Sequence, residues 1–265
     1  MNFLSHNEQE IANKFKKNGY LIAKIKDVKN FQSIQKLVIN FLRKNYSISK
    51  SLTDDFILNN AHKIIKKNQL NNTRLKIINY LNNKNNFIKD YYMLSKPLLD
   101  ILVGNELSMQ KRINLSIQFP KDKSSLLDLH SDVWSGDSPF EAVVWLPLVN
   151  CYKTKSMYIL PPNKYQKFEK TFKDKKNNDS KKIFLKIKKD LVWLKVDYGE
   201  IVIFNQCLPH GNIVNDTNET RWTFNCRFKS LFTPYNDKKL GEFFVPITLR
   251  PLSEIGLNYK LPKIK

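Results

Sequence analysis

The chain has 265 residues, is 42% hydrophobic and carries a formal net charge of +21. That size and apolar content support one large domain with its own core, and no run approaches the 18 apolar residues of a membrane-spanning helix. Cys151, Cys207 and Cys226 form no CxxC and no even disulfide framework, so a reducing, cytoplasmic setting is expected. No basic stretch followed by an apolar run opens the chain, so no signal peptide is expected. Lysine is spread throughout and accompanied by Asn and Ile, residues that share AT-rich codons. The charge therefore reads as composition, and nucleic acid is not the expected partner. A pocket for an anionic small molecule suits it better.

In chain order, residues 7–18 predict a short helix with Glu8 and Glu10 in its first turn, Ile11 and Phe15 on its apolar side, and Gly19 as its stop. Residues 20–25 read as a strand. Phe31, Ile34, Leu37, Val38, Phe41 and Leu42 give residues 28–44 a helical period. Residues 52–107 continue in that style, with three or four helices expected. Residues 1–110 are thus a mainly helical support region. Near Lys111 the period changes to two: Arg112, Asn114, Ser116 and Gln118 alternate with Ile113, Leu115, Ile117 and Phe119. Further strands are expected at 142–148, 157–160, 192–196, 200–204 and 221–228. Polar residues on the inward face of such strands suit a barrel with a small-ligand interior. Residues 111–250 are the expected barrel core. A lysine-rich, partly helical insertion at 163–190 interrupts it, with its charges on a solvated face, and a tail follows at 251–265. The whole reads as one domain, 1–265.

The chemistry-bearing residues lie within the strands. His130 and Asp132 are separated by one residue, so on extended backbone both side chains reach the same side. His210 follows the apolar strand 200–204 and precedes Gly211, which lets the backbone turn away from a ligand. Two histidines and one carboxylate on one face of an octahedral ion leave three positions open, the ligand set of non-haem Fe(II) oxygenases. Eleven residues after His210, Arg221 opens a strand on which Arg221, Thr223, Asn225 and Arg227 share one face. Interior arginines are costly unless they meet an anion, and a dicarboxylate matches the guanidinium fork. Asn114, Ser116 and Gln118 are candidates to face the same cavity and contact the co-substrate. Trp134, Asp137 and Arg227 are candidates for the substrate mouth, with loop packing or an ion pair as their other role. His6 and His62, in the helical part, receive no role.

On these residues the chain resembles the phytanoyl-CoA dioxygenase-like Fe(II)/2-oxoglutarate oxygenases. The resemblance runs from Phe15 to Leu21, through the His130-Ser131-Asp132 motif and the strand Ala142–Leu148, to residues 199–204, His210-Gly211 and Arg221. At Pro162-Asn163-Lys164 the chain departs from the family's usual Gly-Ser-His. Residues 118–120, 130–140 and 219–227 look most like oxygenases found sporadically in carbohydrate-biosynthesis clusters. The resemblance implies a double-stranded β-helix, a jelly-roll or cupin-like barrel, with the helical region packed on it. It implies Fe(II) on His130, Asp132 and His210, 2-oxoglutarate on Arg221, and O₂ as a further co-substrate. The implied reaction is hydroxylation of a small molecule such as a sugar or nucleotide sugar. The retained Asp132 disfavours halogenation, whereas desaturation and epimerisation stay open. The rival readings are a metal-dependent sugar-binding or isomerase barrel, which would not need Arg221, and a nucleic-acid-binding module motivated by charge.

Overall fold

The computed structural model describes residues 3–173 and 179–262. Helix α1 (His6–Asn18) begins with a reciprocal cap. Ser5 Oγ accepts from the Glu8 amide while Glu8 Oε2 accepts from the Ser5 amide at 2.8 Å. It ends at Gly19 with φ +78°, where a Cβ would lie 2.1 Å from Leu208 Cδ1, so only glycine fits. Strand β1 (Tyr20–Lys24) follows, then α2 (Val28–Asn45), capped by Asp27 and burying Phe31, Ile34, Val38, Ile39 and Leu42. The expected three or four helices are four: α3 (Asp54–Asn59), α4 (Ala61–Ile64), α5 (Leu70–Asn82) and α6 (Asn85–Leu102).

The barrel contributes β2 (Leu107–Gln110), β3 (Asn114–Gln118), β4 (Glu141–Pro147) and β5 (Tyr158–Ile159). Helices α7 (Pro162–Lys173) and α8 (Ser180–Ile187) come next, then β6 (Val192–Trp193), β7 (Glu200–Asn205), β8 (His210–Gly211), β9 (Arg221–Ser230), β10 (Phe244–Pro246) and a last helix α9 (Pro251–Asn258). β2 lies inside the region expected to be helical. Its alternation, Leu107-Ser108-Met109-Gln110, spans four residues, the short limit of a readable strand period, and all four are buried.

The larger sheet runs β1-β7-β4-β9-β2-β10, with β3 also paired to β9; the smaller runs β6-β5-β8. All the strand pairs are antiparallel. The result is the jelly-roll barrel the sequence led us to expect. The helices cover the outer face of the large sheet. Phe87 meets Phe224 edge-on at 5.4 Å, Tyr91 donates to the Val144 carbonyl at 2.8 Å, and Trp222 Nε1 donates to the Leu58 carbonyl at 2.9 Å. Strand β9 therefore turns Trp222, Phe224, Cys226 and Phe228 to the core and leaves its polar face for the interior.

The insertion departs from a purely solvated face. Phe172, Ile183 and Ile187 are buried in a second apolar cluster with Leu129, Tyr158 and Leu160. Residues 174–178 of the insertion and 263–265 of the tail lie outside the described residues. The departure from Gly-Ser-His at Pro162 coincides with the start of α7, where a proline suits the first helical turn. Among the described residues, no helix is long and apolar enough to cross a membrane.

Candidate active site

His130 and His210 are directly opposite one another in an antiparallel bridge. The amide of each donates to the carbonyl of the other, at 3.0 and 2.8 Å. Residues so paired point to the same side, and the two rings stand 4.3 Å apart. Two residues after His130, the Asp132 amide donates to Gln206 O at 3.1 Å, while Ser131 Oγ donates to the carbonyls of Gln206 and Cys207. These bonds fix the HxD segment against the turn that precedes His210. Asp132 Oδ1 lies 3.4 Å from His130 Nε2 and 3.7 Å from His210 Nε2. The three donor atoms all lie within 4.8 Å of one another, and no other such group of His, Cys, Asp or Glu occurs among the described residues.

Each imidazole is oriented from behind. His130 Nδ1 is 2.7 Å from Asp128 O, and His210 Nδ1 is 2.8 Å from Leu208 O. A carbonyl can only accept, so Nδ1 carries the proton and Nε2 turns its lone pair to the shared point. Burial, helped by His130, pushes His210 down to about 4, so it is neutral at physiological pH. Burial opposes the charge on Asp132, yet His130 and His210, cationic in the acid range where the carboxyl titrates, and Arg227 hold it well below the usual carboxylate range. Burial lowers the His130 pKa, but its bond to Asp132 prevails and the net shift is upward. Neutral imidazole and ionised carboxylate are the forms that bind a divalent ion, and no bound proton blocks His210 or Asp132.

Gly211 has a reason different from the expected turn. Its φ is not positive; instead a Cβ would lie 2.7 Å from both Leu127 O and Tyr158 Oη. The missing side chain lets the 124–127 segment close over the site.

The histidines and Asp132 open into a cavity of about 100 Å³, lined also by Ser116, Trp145, Met157, Phe204, Arg221 and Thr223. Arg221 is 3% exposed. Its Nη1 donates to Ser156 O at 3.2 Å and its Nη2 to Ser116 Oγ at 3.1 Å. No ion pair joins it to any carboxylate among the described residues, and Nε, Ser156 Oγ and Thr223 Oγ1 have no partner. Burial lowers its pKa to about 10, so the guanidinium stays charged at neutral pH. A buried charge with unmet donors beside unmet hydroxyls requires an anionic acceptor.

Arg227, on the same strand face, is placed differently. Its Nη2 is 2.7 Å from Asp132 Oδ2, and its Nε is 3.0 Å from Asp137 Oδ1 and 4.0 Å from Glu141 Oε2. It thus fixes one oxygen of Asp132 and leaves the other toward the histidines. Asp137 is buried and also paired with Lys238, away from the cavity. Gln118 lies opposite Arg221 in the β3–β9 register, and its Nε2 donates to Ile213 O at 2.7 Å. Ser116 lines the inner cavity, whereas Asn114 lines a second, outer one. Trp134 is exposed and packs on Phe172 of α7 at 5.6 Å. Ser156 and Thr223, not singled out as site residues from sequence, join the site. Thr223 could be read from its place on the Arg221 face; nothing local marks Ser156.

No protein-family model matches the chain, and no curated protein matches it. Solved structures do. A non-heme monooxygenase, ThoJ with nickel, superposes at a TM-score of 0.50 with 15% identity, covering 94% of this chain and 93% of that one. The non-heme alpha-ketoglutarate-dependent epimerase SnoN from nogalamycin biosynthesis gives 0.52 and 14%, over 86% and 85%. HygX from Streptomyces hygroscopicus, with nickel and 2-oxoglutarate bound, gives 0.50 and 11%, over 89% and 90%. At these identities the likeness is one of fold: the chain has the jelly-roll architecture shared by these non-heme enzymes.

Proposed function

We propose that the protein is an Fe(II)- and 2-oxoglutarate-dependent oxygenase acting on a small molecule. The observation that carries this reading is the buried Arg221, charged and without a carboxylate, in the same cavity as His130, Asp132 and His210. A metal barrel that merely bound or isomerised a sugar would have no use for a second, anion-demanding group there. His130, Asp132 and His210 would hold the iron. Arg221, with Ser156 and Thr223, would hold the far carboxylate of 2-oxoglutarate. Once bound, the metal would activate O₂ at the expense of 2-oxoglutarate, one oxygen atom leaving in succinate with release of CO₂ and the other serving to oxidise a substrate C–H bond. The chain's own residues do the placing. Arg227 keeps Asp132 ionised and oriented, the Nδ1 bonds aim both imidazoles, and Trp145, Met157 and Phe204 give the cavity an apolar wall that limits water.

The finer reading follows the sequence resemblance: hydroxylation of a sugar or nucleotide sugar in carbohydrate biosynthesis, in the cytoplasm, with desaturation or epimerisation at the same centre as the related outcomes. Anaerobic protein given Fe(II) and 2-oxoglutarate should develop a visible charge-transfer band, absent in His130→Ala. With O₂ and a panel of nucleotide sugars, succinate should form fastest with the true substrate. No band, and no succinate with any candidate, would falsify the oxygenase reading.

A further inference from the structure

A second cavity of about 460 Å³ adjoins the inner one and shares with it Ser116, Leu127, His130, Asn225 and Arg227. Its volume is in the range of small-ligand sites. Its outer wall comes from the helical region: Leu70, Asn71 and Arg74 of α5, facing Asn114 of β3 and the segment Ser124–Leu127. Among the described residues that line it there is no Asp, Glu, Phe, Tyr or Trp, and the aromatic ring present is the His130 imidazole. Among those residues Arg74 is the cation left for a ligand, because Arg227 is already committed to carboxylates.

Arg74 is pre-set rather than free to wander. Nε and Nη2 donate to Asn71 Oδ1 at 3.2 and 2.7 Å, and Nη1 donates to Leu115 O at 3.4 Å. No ion pair joins Arg74 to a carboxylate among the described residues. The guanidinium is thus braced along one edge, and its remaining N–H groups have no acceptor among the described residues. Asn71, Asn114, Asn225, Ser116 and Ser125 supply amide and hydroxyl groups around it, the lining that suits a ligand rich in hydroxyls.

We infer that this outer chamber is the substrate site, and that it takes a hydroxyl-rich molecule bearing an oxyanion, a phosphate or carboxylate, on Arg74. The inference rests on the proposed reading of the inner cavity, because it assigns the two arginines to different acids: Arg221 to the co-substrate and Arg74 to the substrate. His130, common to both cavities, marks the end at which the reacting carbon sits.

Calorimetric titration of the protein loaded with Mn(II) and 2-oxoglutarate under nitrogen tests this, with ribose 5-phosphate, ribonate and neutral ribose as probes. One of the two acids should bind at least about tenfold tighter than ribose, the worth of one charge-assisted hydrogen bond; which one identifies the oxyanion. Arg74→Ala should erase that margin and Arg74→Lys should keep part of it. 2-Oxoglutarate affinity and the melting temperature, read on the same samples, establish that the fold and inner cavity persist. Equal binding of acid and sugar, or an unchanged margin in Arg74→Ala, overturns the assignment. Failure of the wild-type protein to bind 2-oxoglutarate instead overturns the oxygenase reading, and the sugar titrations, repeated without it, still judge Arg74.

Discussion

Arg221 and Arg227 occupy the two ends of one face of β9, and the chain treats them in opposite ways. Around Arg227 gather Asp132, Asp137 and Glu141; Arg221 pairs with no acid among the described residues and meets a carbonyl, a hydroxyl and unfilled polar atoms. The residue type, strand and orientation are shared, so the difference lies in what the neighbouring elements contribute. The 132–141 segment brings carboxylates to one end and makes that arginine structural. The β5 and β3 sides bring no charge to the other, so that arginine is left for a ligand. Burial of a charge therefore does not identify a binding residue; burial without a partner does.

The largest expected effect breaks the structural end. Arg227→Ala takes the cation from buried Asp132 and Glu141, Asp137 keeping Lys238, and should cost about 3–5 kcal/mol of stability, read as a fall in denaturant midpoint. It should also loosen metal binding through Asp132. Next comes the ligand end. Arg221→Ala should weaken 2-oxoglutarate binding by roughly 30-fold or more, the scale of losing a charge-assisted pair to a carboxylate. It should leave stability nearly intact, because it orphans no acid. Equal stability losses in the two variants would erase the contrast. The smallest effect concerns the approach to Arg221, where the buried Lys155 donates to Glu219 at 2.7 Å. Burial would raise the Glu219 pKa, but the hydrogen bond and charge of Lys155 lower it overall. A depressed carboxylate stabilises fully above its unfolded pKa, near 4.5, and that contribution fades as pH falls through the folded value. Glu219→Gln should flatten stability between about pH 3 and 5 by less than about 1 kcal/mol, because the carboxylate is 41% exposed and solvent screens the pair. A steeper change in an acid-unfolding series would mean that Lys155 and Glu219 anchor the Arg221 end more firmly than their exposure allows.

The features legible in the sequence were those with a short-range code. His130 and Asp132 are two residues apart on extended chain, and the alternation along β9 separates core from cavity residue by residue. The helical period of α2 and the cap-and-glycine frame of α1 are of the same kind. What escaped depends on distant chain. The alternation of β2 spans four residues at the end of a long helical stretch, and β10 is three residues long, too short to carry a period. Ser156 meets Arg221 across 65 positions of chain, so nothing local marks it. Arg74 sits on a helix that looked like support, and its place in a ligand chamber is set by β3 and the 124–127 segment, some 40 to 50 positions on. The separate fates of Arg221 and Arg227 are invisible in sequence for the same reason, since the three acids that claim Arg227 come from other segments.

The bridge between His130 and His210 has a further consequence. An ion held by both residues would tie together points eighty positions apart in the chain, across the two hydrogen bonds that already pair them. Such a tie acts as a reversible staple on a long loop, reducing the freedom of the unfolded chain much as a covalent cross-link does. The barrel's mouth and the metal's occupancy are then one equilibrium: the ion is retained to the extent that these two segments stay zipped, and each that lets go releases the other.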